Sequence, residues 1–361
     1  MKTLIKNNPT YTLHPQWVTG FTDAEGCFSV IIEITEPSKW RVRTSFEINL
    51  HLKDVNILYS IKSFFGVGSV FTRPHLNRCV YRVTKNEELL EVIIPHFSKY
   101  SLISKKGEDF LLWSKVVNMK STKEHLMFKG FSTILTYYAA INCGPSSKVT
   151  KYFPNIEVVE RPKIKLPLTL DPNWVSGFVA GDGGFSINIR KNNKIEFRVH
   201  VAQHSKDSDL LKLFINFFNS GNVYLRSNLS TPRCDFVIQN FKDIINNVIT
   251  HFDKYPLENV KQLDYNDFRQ ALLIVIDSLQ EGEHSLCTDV HLLAGRVVVE
   301  LHLCLSLRIR LHVRVPVDGA AEVRHGRDDA VVLHLECGRL VEALEVGAAK
   351  PFLAFGGVGM M

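Results

Sequence analysis

Two acidic residues, Glu25 and Asp182, hold the same place in a stretch that occurs twice, Trp17-Val-Thr-Gly-Phe-Thr-Asp-Ala-Glu-Gly26 and Trp174-Val-Ser-Gly-Phe-Val-Ala-Gly-Asp-Gly183. Each acid stands directly before a glycine while the residues around it vary. Set side by side, two carboxylates repel by ~3–4 kcal/mol at an effective dielectric of about 20. A divalent cation relieves that repulsion. Mg²⁺ is a hard ion that takes oxygen ligands, commonly one or two carboxylates with water and substrate phosphates completing its shell. The chemistry suggested is metal-assisted phosphodiester hydrolysis, with the ions activating water and steadying the leaving oxygen. The alternative is a duplicated helix-packing motif whose acids are incidental.

The pattern predicts that one short helix delivers each acid. Pro15 and Pro172 suit a first helical turn, Asp171 can cap the second copy, and Gly26 and Gly183 stop the helices. Glu25 and Asp182 are then the last side chains of their helices, at the partially negative ends. Gly20 with Ala24, and Gly177 with Gly181, place small residues four apart on one face, which allows two backbones to approach closely. If those faces meet, Glu25 and Asp182 end together.

At Val18-Thr-Gly-Phe-Thr-Asp-Ala-Glu-Gly26 and Val175-Ser-Gly-Phe-Val-Ala-Gly-Asp-Gly183 the chain resembles the LAGLIDADG homing endonucleases of the single-chain, two-repeat type. The resemblance implies that Glu25 and Asp182 bind metal with help from the backbone carbonyls of Ala24 and Gly181. It also implies a lysine at the edge of the cleavage centre, which falls on Lys106 and Lys261, each six residues after Tyr100 or Tyr255. Such a cation could stabilise charge on a scissile phosphate. The same lysines also fit a solvated helix face. The motif's first acid is Asp23 in copy one and Ala180 in copy two.

The chain has 361 residues, 45% of them hydrophobic, enough for one large or two ordinary domains. Its net charge of +6 allows a polyanion partner without proving one. Seven cysteines lie scattered without close pairs, which supports neither a zinc site nor a disulfide framework. No apolar run is long enough to span a bilayer, and Met1 to Tyr11 is too short and polar for a secretory signal.

Beyond the first signature helix the apolar period changes to two. Trp40, Val42, Thr44, Phe46, Ile48 and Leu50 alternate with Arg41, Arg43, Ser45, Glu47, Asn49 and His51, a strand with one core face and one polar face. A row of cations, amides and a carboxylate two residues apart suits base edges in a DNA groove, although a solvated sheet face reads the same. The second copy repeats it with Asn188, Arg190, Arg198 and His200 around a polar hairpin. His51-Leu-Lys-Asp54 matches His204-Ser-Lys-Asp207, and each aspartate is expected to cap the helix that follows, Val55 to Phe65 and Ser208 to Phe218. Arg78-Cys79 pairs with Arg233-Cys234, and His96-Phe97 with His251-Phe252, both histidines reading as hydrogen-bonded structural groups. Matched landmarks in one order indicate an internal duplication.

The expected fold is therefore α+β: two pseudo-symmetric αββαββα repeats, over 1–141 and 168–286, joined by a linker at 142–167, with antiparallel DNA-binding sheets forming a saddle. From 287 to 361 isoleucine is nearly absent, asparagine vanishes and Lys350 is the one lysine, so this stretch reads as a foreign or out-of-frame extension. Its alternating run over 301–315 would form a strand with a basic face. The resemblance implies a monomer that cuts both strands of a long asymmetric DNA site with Mg²⁺ or Mn²⁺, encoded in an organellar, mitochondrial intron without an import signal. The alternatives are an RNA-binding intron maturase on the same scaffold and a catalytically decayed DNA-binding protein.

Overall fold

Helix α1 (Pro15–Glu25) and helix α7 (Pro172–Asp182) carry the two signature stretches and end on the two acids. The computed structural model describes residues 12–36, 39–190, 195–226 and 232–283, with two short strands at 314–315 and 331–332. Asp171 caps α7 as expected, accepting from Asn173 N (2.8 Å) and Trp174 N (3.2 Å). The cap of α1 was not legible: His14 Nδ1 accepts from Gln16 N at 3.3 Å. Gly26 and Gly183 do end the helices, but in extended rather than left-handed backbone, at φ −73° and −88°. They are needed for space, since a Cβ there would lie 2.5 Å from Thr22 Cγ2 or 2.4 Å from Val179 Cγ1 as the chain turns directly into a strand.

Each repeat then runs as expected through two strands, a helix, two strands and a helical stretch. In the first these are β1 (Gly26–Glu36), β2 (Lys39–His51), α2 (Val55–Phe65), β3 (Ser69–Arg73), β4 (Arg78–Val83) and α3 (86–99). In the second they are β5 (Gly183–Ile189), β6 (Ile195–His204), α8 (Ser208–Phe218), β7 (Asn222–Leu225), β8 (Arg233–Ile238) and α9 (241–254). The seven-element formula leaves out a further helix in each repeat, α4 (Lys106–Ser121) and α10 (Lys261–Glu283), each beginning on a lysine. α5 (Phe128–Ala140) follows α4, and α6 (Ser147–Tyr152) falls in the stretch expected to be the linker. The sheets have strand orders β1-β2-β4-β3 and β5-β6-β8-β7. β2 pairs antiparallel with β1 and β4, and β8 with β6 and β7.

One expectation fails. Asp54 and Asp207 make no capping bond to α2 or α8. An N-cap side chain reaches the helix amides from extended backbone, whereas Asp54 (φ −94°, ψ 14°) and Asp207 (φ −99°, ψ 16°) end short 3₁₀ turns. The turns are themselves capped by His51 and His204, which accept from Lys53 N at 3.2 Å and Lys206 N at 3.1 Å.

The core of the first repeat is aromatic. Phe28 packs on Phe46, Phe97, Phe110 and Trp113 with ring centroids 5.1–5.5 Å apart. Phe178, Phe214, Phe218 and Phe236 form the counterpart in the second. Burying each such side chain stabilises by about 1.5–3 kcal/mol. His96 and His251 hold the structural role expected of them. Thr19 Oγ1 lies 3.2 Å from His96 Nε2, Ser176 Oγ lies 3.1 Å from His251 Nε2, and Ser176 Oγ donates to Tyr255 O at 2.7 Å.

Contacts divide the chain into a larger unit (residues 1–185 and 198–265) and a smaller one (186–197 and 266–361). The larger holds α1, α7 and the starts of α4 and α10. The smaller contains the Phe197–Phe268 ring contact at 5.3 Å. Two-residue strands Arg314–Val315 and Val331–Val332 pair antiparallel; otherwise the extension from 287, with the strand expected over 301–315, lies outside the described residues. So do the hairpin residues 191–194. Among the described residues no helix is long and apolar enough to cross a membrane, and Cys27, Cys79, Cys143 and Cys234 are free thiols.

Candidate active site at the paired helix ends

The close approach of α1 and α7 rests on the glycines. A Cβ at Gly20 would lie 2.0 Å from Trp174 O, and one at Gly177 2.0 Å from Trp17 O. Further along, a Cβ at Gly181 would sit 2.3 Å from Ala24 Cβ and 3.1 Å from Glu25 Cγ. The small-residue faces meet, so the helices deliver Glu25 and Asp182 to one place.

The electrostatics follow from that proximity. Burial, then the Glu25 charge, pushes the Asp182 carboxyl up to about 7. Glu25 is raised too, by burial first, while Lys106 and Lys261 pull it back. Gln203 donates to Asp182 Oδ2 and partly offsets the rise. Gln203 was missed in the sequence because its counterpart by register is Leu50, so the duplication gives no signal. A cleft of about 610 Å³ opens beside Asp182, lined in part by Gln203, His204 and Arg233.

Lys106 and Lys261 are brought to the same place, and the solvated-face alternative fails for both. Lys106 Nζ donates to Ala24 O at 2.9 Å. Lys261 Nζ donates to the carbonyls of Val179 (3.2 Å), Gly181 (2.7 Å) and Gly183 (2.6 Å). Each helix C-terminus leaves unpaired carbonyls, and an ammonium satisfies them while meeting the negative end of the dipole. Desolvation lowers both lysine pKa values, opposed by the nearby carboxylates. Ala24 O and Gly181 O, the carbonyls that the resemblance assigns to metal, each accept a lysine here.

Asp23 does not face the acids' cleft. It is buried and accepts from Ile103 N, Ser104 N, Ser104 Oγ and, across the helix pair, Trp174 Nε1 at 2.9 Å. The mirror-related Trp17 Nε1 is buried without a partner, since Ala180 stands where Asp23's counterpart would be. This cross-repeat tie was not visible in the sequence, where Asp23 differs from Glu25 only by two positions.

The oxygen donors fit a hard divalent cation: two carboxylates with backbone carbonyls beside them. Among the described residues no cluster of three or more His, Cys, Asp or Glu side chains forms a closed cage. An open shell completed by water and phosphate suits Mg²⁺ better than zinc.

On the first sheet Arg41, Arg43 and Asn49 are exposed, Glu47 is half-buried and Ser45 is buried. Ser45 is thus not part of an open face; its Oγ donates to Glu47 Oε1 at 2.7 Å. Glu47 also pairs with Arg82 at 2.9 Å, and Arg43 with Glu33. Arg82 was missed because it becomes a neighbour of Glu47 only through the β2–β4 register. On the second sheet Asn188, Arg198 and His200 are half-buried, and exposed Arg190 pairs with Glu196 at 2.9 Å. His200 lies against Gly184, where a Cβ would meet its ring at 2.6 Å. Arg226, also unforeseen, binds Asp235 in bidentate fashion at 2.6 and 2.7 Å.

Comparison with known proteins agrees with this architecture. The LAGLIDADG endonuclease profile matches residues 18–117 and 175–272. "Probable intron-encoded endonuclease 2" of Neurospora crassa is 34% identical over 286 residues, which are 74% of this chain and 63% of that protein. The chain thus spans just under two thirds of that relative's length. The structure of the LAGLIDADG homing endonuclease I-GzeII in complex with its DNA target is 33% identical with a TM-score of 0.73, covering 83% of this chain and 99% of that one. I-SmaMI bound to cleaved DNA is 31% identical, TM-score 0.73, covering 82% and 97%; it has also been solved on uncleaved target in the presence of calcium ions. With two matched repeats, two four-stranded sheets and both acids at the ends of glycine-packed helices, the chain belongs to the LAGLIDADG endonuclease family.

Proposed function

We propose that the protein is a site-specific DNA endonuclease that hydrolyses both strands of a long asymmetric duplex target as a monomer. The observation that carries this reading is the meeting of Glu25 and Asp182 where α1 and α7 touch backbone to backbone. Glu25 and Asp182, with Ala24 O and Gly181 O, would hold Mg²⁺ or Mn²⁺, which when bound supplies an activated water and a counter-charge for the leaving oxygen. Lys106 and Lys261 add fixed positive charge beside the scissile phosphates, oriented by the carbonyls they grip. Gln203 holds Asp182 in its rotamer. Each carbonyl oxygen has two lone pairs, so it can accept its lysine and still face a cation.

Arg41, Arg43, Glu47 and Asn49 on one sheet, and Asn188, Arg190, Arg198 and His200 on the other, are proposed to face DNA in the manner of a saddle. The sheets differ in side chains, so the half-sites should differ too. The repeats are proposed to span 1–141 and 168–286, with 142–167 as linker and 287–361 as an extension outside them. Intron-encoded fungal relatives support a mitochondrial, organelle-encoded origin.

The test is cleavage of a randomised duplex library with and without Mg²⁺, comparing this chain with Glu25→Gln. Cutting of one asymmetric sequence by the first and binding without cutting by the second supports the reading. Full activity in Glu25→Gln overturns the assignment.

A further inference from the structure

The duplicated motif His51-Leu-Lys-Asp54 and His204-Ser-Lys-Asp207 has no capping role on the helices that follow it, yet both aspartates are engaged. Asp207 Oδ1 accepts from Lys105 N at 2.8 Å. Asp54 stands at the equivalent place, facing the backbone N–H of Val260 in a small cavity that Asn259 and Lys261 also line, and its Oδ1 is buried with no hydrogen-bond partner. Lys105 and Val260 are the residues directly before α4 and α10, whose first residues are Lys106 and Lys261. Asp207 therefore binds the start of the other repeat's lysine-bearing helix, and Asp54 stands against the start of its counterpart.

The donors at these starts can be followed one by one, because the first amides of a helix lack partners within it. At α4, Ile103 N and Ser104 N go to Asp23, Lys105 N to Asp207, and Lys106 N to Ser104 Oγ at 3.2 Å. At α10, Lys261 N goes to Asn259 Oδ1 at 3.1 Å, and Val260 N faces Asp54. Asn259 Nδ2 also ties this start to Ala180 O at 3.0 Å. Own-repeat groups supply most acceptors; the amide just before Lys106 is given to the opposite repeat, and the amide just before Lys261 faces it. A carboxylate at a helix N-terminus is favoured by both the bare amides and the dipole.

The geometry points to Asp54 and Asp207 as reciprocal positioning residues, each holding the first turn of the opposite repeat's α10 or α4 so that its leading lysine stays at the paired acids. Neither aspartate touches substrate in this role. The consequence is crossed: Asp207 sets Lys106, beside Glu25, and Asp54 sets Lys261, beside Asp182. A break in one repeat is felt at the lysine of the other. The catalytic consequence rests on the nuclease reading; the positioning itself does not.

Two measurements on the full chain test it. The first is amide hydrogen exchange in Asp207→Ala, Asp207→Asn, Asp54→Ala and Asp54→Asn. Exchange should quicken at Lys105 and Lys106 in Asp207→Ala, at Val260 and Lys261 in Asp54→Ala, and return towards wild type in the Asn variants, which keep an acceptor oxygen. Faster exchange confined to the aspartate's own following helix, or none, overturns the proposal. The second is strand-resolved nicking of the selected target. Asp207→Ala and Asp54→Ala should each slow one strand, and opposite strands, by roughly 10- to 100-fold, as for a displaced catalytic group. Equal slowing of both strands by each variant overturns it. If the wild-type chain cuts no DNA, the nuclease reading fails while the exchange experiment still decides the positioning.

Discussion

Gly20 and Gly177 each rest against the backbone of the opposite helix, Gly20 on Trp174 O and Gly177 on Trp17 O, leaving no room for a single methyl group. Gly177→Ala must push the helices apart, because the obstacle is a carbonyl and not a side chain that can swing away. Overpacking of this kind costs about 1–3 kcal/mol, and a backbone obstacle places it at the upper end. Cleavage should fall further than stability, since parting the helices also parts Glu25 from Asp182. The urea midpoint and the cleavage rate of Gly20→Ala and Gly177→Ala check this. Gly66→Ala is the control: it meets open space at φ +70° and should cost only about 1–2 kcal/mol of left-handed strain.

Asp23 accepts four donors in the buried centre, so Asp23→Ala strands Ile103 N, Ser104 N, Ser104 Oγ and the Trp174 indole at once. A loss of at least ~3 kcal/mol is expected, each buried unpaired group costing about 1–3 kcal/mol. Urea denaturation of Asp23→Ala against the wild type measures it.

What the sequence made legible were features with short-range signatures. Proline, the small residues at spacing four and the acid before glycine mark α1 and α7, while period-two alternation marks β2. Features that depend on one repeat meeting the other were hidden. Nothing near Asp23 points to Trp174, 151 positions away, nor anything near Asp207 to Lys105. Duplication itself misled in one place. It singled out Asp54 and Asp207 correctly as equivalent, but local capping was the nearest explanation, and backbone angles of the 3₁₀ turn exclude it. Gln203 was invisible for the opposite reason, having no counterpart to match.

His96 and His251 should give the fold an acid-sensitive edge. Burial lowers each to about 4, against 6.5 for a free imidazole. The unfolded chain takes up these protons first, so their stabilising contribution is whole above pH 6.5 and is lost as pH falls through about 4. Asp182 works in the opposite sense over an overlapping range. Raised from 3.8 to about 7, it favours the folded state most below pH 3.8, and that contribution fades as pH rises through 7. The histidine share is therefore read as a difference. Urea midpoints from pH 7 to 4 should fall more steeply for the wild type than for a His96→Asn, His251→Asn double variant.

The same carboxyl governs cation binding. At pH 6 Asp182 carries a proton that a metal ion must displace, so affinity should weaken as pH falls below about 7, approaching tenfold per unit, and level off above it. The transition belongs to the Glu25–Asp182 pair, because each charge raises the cost of the other. Calcium titrations without DNA at pH 6, 7 and 8 measure it apart from catalysis. Gln203 supplies the control: its hydrogen bond favours the ionised Asp182, so Gln203→Leu should move the transition to higher pH. Asp182→Asn should remove most of the pH dependence. A transition unchanged by both substitutions would place the titrating group elsewhere.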